Sequence, residues 1–180
     1  MKGLVFTEFV EMVEQKWGLG MVDSLISDVR PANDGAYTAV GNYPHSEMVS
    51  FVIALHKRTD IPVNDLLKEY GRYLFHRLAV THGYIIAGVN DTLTLLQDIE
   101  KIIHVEVKKL YKDSMPPMFT GMRISEDELH LVYQSHRSMS DVAVGLMLGC
   151  AEHYNEKITI EKLSSSEDGT SVEFLVKRLR

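Results

Sequence analysis

The stretch Thr92–Tyr111, TLTLLQDIEKIIHVEVKKLY, decides how the rest of the chain is read. Wound at about 100° per residue, it sets Leu96, Ile99, Ile103 and Leu110 on one narrow stripe, the pattern of a helix packed against a core. The expectation is one helix over 92–111. His104 falls off that stripe, beside Leu93, Val107 and Tyr111, on a flank that can look into a pocket rather than into the middle of the core. An imidazole there is either a solvated surface histidine or a ligand to something docked alongside, and the helix alone does not choose.

Toward the C-terminus, Asp113–Pro117 interrupts the helical period, because Pro116 and Pro117 have no amide to donate and cannot continue a helix. The period then changes to two: Met118–Ile124 and Glu128–Arg137 alternate and predict a strand pair. On the second strand Leu129, Leu131, Tyr133, Ser135 and Arg137 share a face. A phenol, a hydroxyl and a guanidinium on that face either meet an anion, for which the fork and two hydroxyls are suited, or mark the solvated end of the strand. Met139–Asn155 returns to a helix with Ser140 or Asp141 near its start, and its Gly145 and Gly149 would admit a close neighbour. Lys157–Leu163 and Ser171–Leu179 alternate again around a turn at Glu167–Gly169, a terminal hairpin.

Toward the N-terminus, Phe6–Trp17 carries Phe6, Phe9, Val10, Val13 and Trp17 at helical intervals and is stopped by Gly18 and Gly20. Met21–Val29 predicts a short second helix closed by Pro31, and 32–43, rich in Asn, Gly and Asp, an extended loop. Ser46–Thr59 and Pro62–Ala79 predict two more helices, with Ser46 and Asn64 as their N-caps. Gly71 inside the second costs about 1 kcal/mol against Ala, which points to a packing reason. The fold class is α+β: a helical N-terminal part, then a part mixing helices with a small antiparallel sheet.

At 180 residues the chain suits one well-buried domain. A net charge of -6 and a pI near 5.7 speak against general binding to nucleic acid or to an anionic membrane, which requires surplus Lys and Arg. One cysteine, Cys150, cannot form an internal disulfide, and there is neither a signal-peptide pattern nor an apolar run long enough to cross a bilayer. A cytoplasmic protein is the expectation. His76 with His82, or Cys150 with His153, are spaced as zinc ligands are. A structural site needs about four ligands, however, and these histidines read as ordinary surface or interfacial groups. Cys150, in VAVGLMLGCA, reads as core rather than as a nucleophile.

His104 on a helix, Pro116-Pro117 after it, and Tyr133-x-Ser135-x-Arg137 about thirty residues on together resemble the haem nitric oxide/oxygen-binding (H-NOX) family. The opening Met1-Lys2-Gly3 and the Gly71-Arg72 pair also fit, and the resemblance runs over essentially the whole chain. It implies a haem b between a helical subdomain, approximately 1–62, and a haem-ligating subdomain, 63–180, with about four strands. It further implies that His104 is the axial ligand to iron, that Tyr133, Ser135 and Arg137 hold the propionates, and that Pro117 presses on the porphyrin. The residue chemistry agrees, since neutral imidazole suits ferrous iron and propionates are anions.

Members of the family that hold oxygen place a tyrosine on the helix after the Tyr-Ser-Arg strand. Here that position corresponds to Val142 and the polar helper position to Leu74. Phe9, Leu78 and Leu146 complete an apolar wall, with Val5 against the porphyrin. Bound dioxygen benefits from a hydrogen-bond donor, whereas nitric oxide binds ferrous haem strongly without one. The resemblance thus implies a non-catalytic sensor of nitric oxide, also binding CO, which releases His104 and signals in trans to a histidine kinase or a cyclic-di-GMP synthase or phosphodiesterase. Two alternatives stand beside it: an oxygen or redox sensor on the same fold, and a haem-free helical interaction module.

Overall fold

In the computed structural model, which describes residues 1–179, the first four helices are α1 (Gly3–Trp17), α2 (Leu19–Val29), α3 (His45–Thr59) and α4 (Val63–Thr81). Helix α1 opens three residues before Phe6 because the 32–43 loop folds back on its free amides. Gly3 N–H donates to Gly41 O at 2.8 Å and Leu4 N–H to Ala39 O at 3.0 Å. Gly18, at φ 84°, ends the helix with its amide on Glu14 O. The caps expected at Ser46 and Asn64 are not used. Both N-caps fall two residues earlier, at Pro44 and Pro62, and neither start carries a side-chain cap bond. Proline has no amide to satisfy, so it stands at a helix boundary without loss.

The apolar stripes of these helices close into one core. Phe6, Phe9, Met12 and Val13 of α1 meet Met48, Phe51 and Leu55 of α3, and Leu66, Tyr70 and Leu74 of α4. The far end of α4 belongs to a second core. There Phe75 joins Leu93, Leu95 and Leu96 of α5 (Thr92–Gln97), the inner face of the sheet, and Met147 and Cys150 of α7 (Ser140–His153). Burial pushes the Cys150 thiol up to about 12, so it is inert core, as expected.

The sheet runs β1 (Met118–Ser125), β2 (Glu128–Gln134), β4 (Ser171–Leu179), β3 (Lys157–Ser165) in spatial order, antiparallel throughout. Phe119 lies opposite Tyr133, and Tyr133 opposite Val172. Leu129, Leu131, Tyr133, Val172, Phe174 and Val176 point inward, as period-two burial requires. The second strand is shorter than its alternation suggested. It ends at Gln134, where Ser135 N–H turns to Thr170 O at 2.8 Å, and Ser135 Oγ accepts from Arg137 N–H at 3.2 Å. Ser135 and Arg137 therefore lie on a hydroxyl-capped turn beyond the strand.

The helix expected over 92–111 is in fact three pieces. Asp91 caps α5 by accepting from Thr94 N–H, and the helix stops at Asp98. A π-helical turn covers Glu100–His104, closed by Val105 N–H on Glu100 O, and α6 (Val105–Leu110) follows. A wide turn carries one extra residue, which rotates everything after it by about 100°. Leu110 consequently leaves the buried stripe and is 49% exposed, while His104 is only 7% exposed.

Helices α4 and α7 join the two cores, and they do so at unusually close range. A Cβ on Gly71 would stand 2.2 Å from Val142 O, and one on Gly145 would stand 2.0 Å from Lys68 O. Gly149 likewise faces Phe75 Cβ at 2.8 Å. The packing reason suspected for Gly71, and the approach expected at Gly145 and Gly149, are one contact. No helix among the described residues is long and apolar enough to cross a membrane.

Candidate cofactor cavity

Between the two cores lies a cavity of about 340 Å³ whose wall is almost wholly apolar. Val5 of α1, Leu74 and Leu78 of α4, and Val142 and Leu146 of α7 form one side. The π turn, α6 and Pro117 form the other, and Tyr133, Ser135 and Arg137 also line it. Ten of the eleven residues singled out in the sequence thus reach one space. Phe9 is the exception. It is 1% exposed inside the first core, with its ring edge-on to Tyr70 at 5.3 Å, and it is Tyr70 that lines the cavity.

The π turn aims His104. Its Nδ1 donates to Glu100 Oε1 at 2.7 Å, since a carboxylate can only accept. In that tautomer Nε2 carries the free lone pair, and it has no hydrogen-bond partner among the described residues. Burial pushes the imidazole below the usual histidine range, and Glu100 opposes this only in part, so the ring stays neutral at pH 7. The Glu100 oxygen also accepts Phe119 N–H at 2.9 Å.

Arg137 supplies the opposite chemistry. It is partly buried, and burial lowers its pKa. It donates to Met115 O at 2.7 Å and makes no ion pair with a carboxylate among the described residues. The α-amino group of Met1 lies close enough to Arg137 to have its own pKa lowered by burial first and by Arg137 second, and it donates to Tyr43 O at 2.7 Å. Tyr133 OH accepts from Met139 N–H at 3.2 Å, which orients the phenol at the strand end.

Sequence reasoning missed the hydrogen-bond partner of His104, which is Glu100, and several groups that line the cavity. Glu100 was legible as a residue four positions before His104, a spacing that puts both on one helical face. Tyr70 carries a hydroxyl into the wall, but it is committed to Val5 O at 2.6 Å. His82, read as a surface histidine, edges the cavity with Nδ1 paired to Thr81 Oγ1 at 2.8 Å. Ser114 also lines the cavity, and its buried hydroxyl has no partner among the described residues. The zinc spacings gather no ligands: no cluster of three or more His, Cys, Asp or Glu side chains able to hold a metal occurs among the described residues.

These groups suit haem. An apolar slot takes a porphyrin, a lone neutral imidazole nitrogen takes its iron, and a guanidinium without a carboxylate partner, beside a hydroxyl and a phenol, takes its carboxylates.

A helical lobe and a four-stranded lobe enclosing one apolar cavity, joined by glycine-packed helices, are the architecture of the H-NOX fold. The model of the Haem-NO-binding family matches residues 2–162, and the chain belongs to that family, whose members are haem-based gas-sensing modules rather than enzymes. Similar solved structures cover the chain completely. The Fe(II) unliganded H-NOX protein from K. algicida is 36% identical with a TM-score of 0.93, over 100% of this chain and 97% of that one. An H-NOX protein from S. oneidensis in the Fe(II)NO ligation state is 29% identical with a TM-score of 0.93, over 100% of both chains. A T. Tengcongensis H-NOX structure, 21% identical with a TM-score of 0.88 over 100% of this chain and 98% of that one, shares the fold. No curated protein sequence is similar enough to match the chain.

Proposed function

We propose that the protein is a nitric oxide sensor that holds haem b between its two lobes and reports gas binding to a signalling partner. One observation carries this reading: a buried imidazole with a free Nε2 and a partly buried guanidinium without a carboxylate partner open on the same apolar cavity. When bound, the haem would supply a ferrous iron able to take nitric oxide or CO. His104 would offer Nε2 to the iron, Arg137 with Ser135 and Tyr133 would hold the propionates, and Pro117 and Val5 would bear on the porphyrin. Leu74, Leu78, Val142 and Leu146 exclude water and offer no donor, and the one phenol in that wall, Tyr70, is spent on Val5 O. Nitric oxide is favoured over dioxygen for that reason. By family resemblance His104 would be released when gas binds; the π turn and α6 that carry it would then be free to move relative to α4 and α7, and a ligand shifts such an equilibrium by its differential affinity for the two arrangements. By family resemblance the partner is a histidine kinase or a cyclic-di-GMP enzyme.

The test is visible absorption of protein reduced without oxygen and then exposed to each gas. Nitric oxide should give a complex in which the histidine band is lost, and air should give no stable oxygenated form. A persistent oxygen complex would instead make the protein an oxygen sensor, and a colourless protein that takes up no haem would refute the reading altogether.

A further inference from the structure

We propose that Glu100 is the positioning residue for the axial histidine: its carboxylate sets the strength of the bond His104 makes to iron and ties that bond to strand β1. This deepens the haem-sensor reading and rests on it. The geometry is specific. One oxygen, Glu100 Oε1, accepts both His104 Nδ1–H at 2.7 Å and Phe119 N–H at 2.9 Å. The π turn makes this possible, because its wide ring, closed by Val105 N–H on Glu100 O, swings His104 inward while Glu100 reaches across to the start of β1.

Two consequences follow from the chemistry. A carboxylate on Nδ1–H fixes the tautomer that leaves Nε2 as the ligand, and it makes that nitrogen a stronger base. The bond to iron is therefore firmer than an unassisted imidazole would make, and nitric oxide must work against it to release His104. The second consequence is mechanical. Phe119 stands two residues after Pro117, and its ring lies 5.9 Å from the His104 ring and 5.5 Å from the Tyr133 ring. A displacement of His104 is thus felt at the root of β1 through one shared oxygen, in a contiguous series of packed groups.

Two variants test this, the isosteric Glu100→Gln, which keeps shape but removes charge, and Glu100→Ala. In the haem-free protein, nitrogen NMR should find His104 protonated at Nδ1, and Glu100→Ala should lose that preference. In the ferrous haem-loaded protein, the iron–histidine stretching frequency in resonance Raman should fall from parent to Gln to Ala. Haem transfer to a scavenger should quicken about 10- to 100-fold for Ala. A residue that only braced β1 would change thermal stability without this graded frequency. Should Glu100→Ala fold poorly, Glu100→Gln alone carries the test. An unchanged frequency in Glu100→Gln, or a haem-free parent protonated at Nε2, overturns the role of Glu100 and leaves the sensor reading standing. A parent whose haem spectrum equals that of His104→Gly overturns both.

Discussion

Gly71 and Gly145 face each other across α4 and α7 so closely that a Cβ on Gly145 would stand 2.8 Å from Gly71 Cα. This contact fixes the spacing of the two helices that carry Leu74, Leu78, Val142 and Leu146, and so the width of the cavity on that side. Gly145→Ala should therefore cost stability although alanine favours a helix, because backbone atoms, Lys68 O above all, must give way. Overpacking of this kind costs about 1–3 kcal/mol, which is about 2–12 °C in melting temperature for a chain of this size. Gly20→Ala is the control: it sits within α2 with nothing within 4 Å of its would-be Cβ, and should be neutral or stabilising. Calorimetry on the two variants decides, and equal melting temperatures would show that the helices are not held by this contact.

His104→Gly should abolish normal haem retention, and added imidazole should restore a histidine-like ferrous spectrum by entering the space vacated below the cavity wall. A spectrum unchanged from the parent would place the axial ligand elsewhere, with His82 the next imidazole along the lining.

Arg137→Ala should speed haem loss more than Arg72→Ala. Arg137 has no carboxylate to lose, so on the proposed reading its removal would take away the charge-assisted bonds to the propionates, about 1.5–3 kcal/mol or roughly 10- to 100-fold in off-rate. Arg72 is spent on Glu152 and, at 3.5 Å, on Glu69, and it does not line the cavity. Transfer to a scavenger measures both, and equal rates would remove Arg137 from the site.

Pro117→Ala should flatten the haem. Pro117 lines the cavity immediately before β1, and its ring is a stiffer buttress than a methyl group. If distortion stores strain while His104 is bound, relieving it should push the protein toward its gas-bound arrangement without gas, and a partner assay should register the shift. A flat haem with unchanged signalling would separate porphyrin shape from output, and a haem as bent as in the parent would exonerate Pro117.

Much of this was legible in the sequence because local period and burial agree wherever an element packs on one face. Phe6, Phe9 and Val13 mark α1, the alternating Leu129, Leu131 and Tyr133 mark β2, and Gly71, Gly145 and Gly149 announced the close packing of α4 on α7. What period reasoning cannot see is a change of pitch. The π turn at Glu100–His104 leaves composition untouched but moves Leu110 out of the core to the cavity lining and buries His104, so the predicted stripe and the true one diverge after Ile103. Phe9 was misplaced for a related reason: membership of an apolar face says that a side chain is buried, not which of two adjoining cores receives it. Ser135 and Arg137 reach the cavity by a turn that only the pairing of β2 with β4 defines, and pairing is a property of residues nearly forty positions apart.

The division of labour along α4 also orders events during synthesis. Phe6 to Leu74, the whole of the first core, is made before the sheet and α7 and can condense while those later residues are still being added. The wall that Leu74 begins is finished only with Val142 and Leu146 on α7, some seventy residues later, and the inner face of the sheet is complete only with β4. A nascent chain therefore displays half a pocket, greasy and open, for most of its elongation. Anything that is to be held between the two walls has to wait until α7 and β4 have been made.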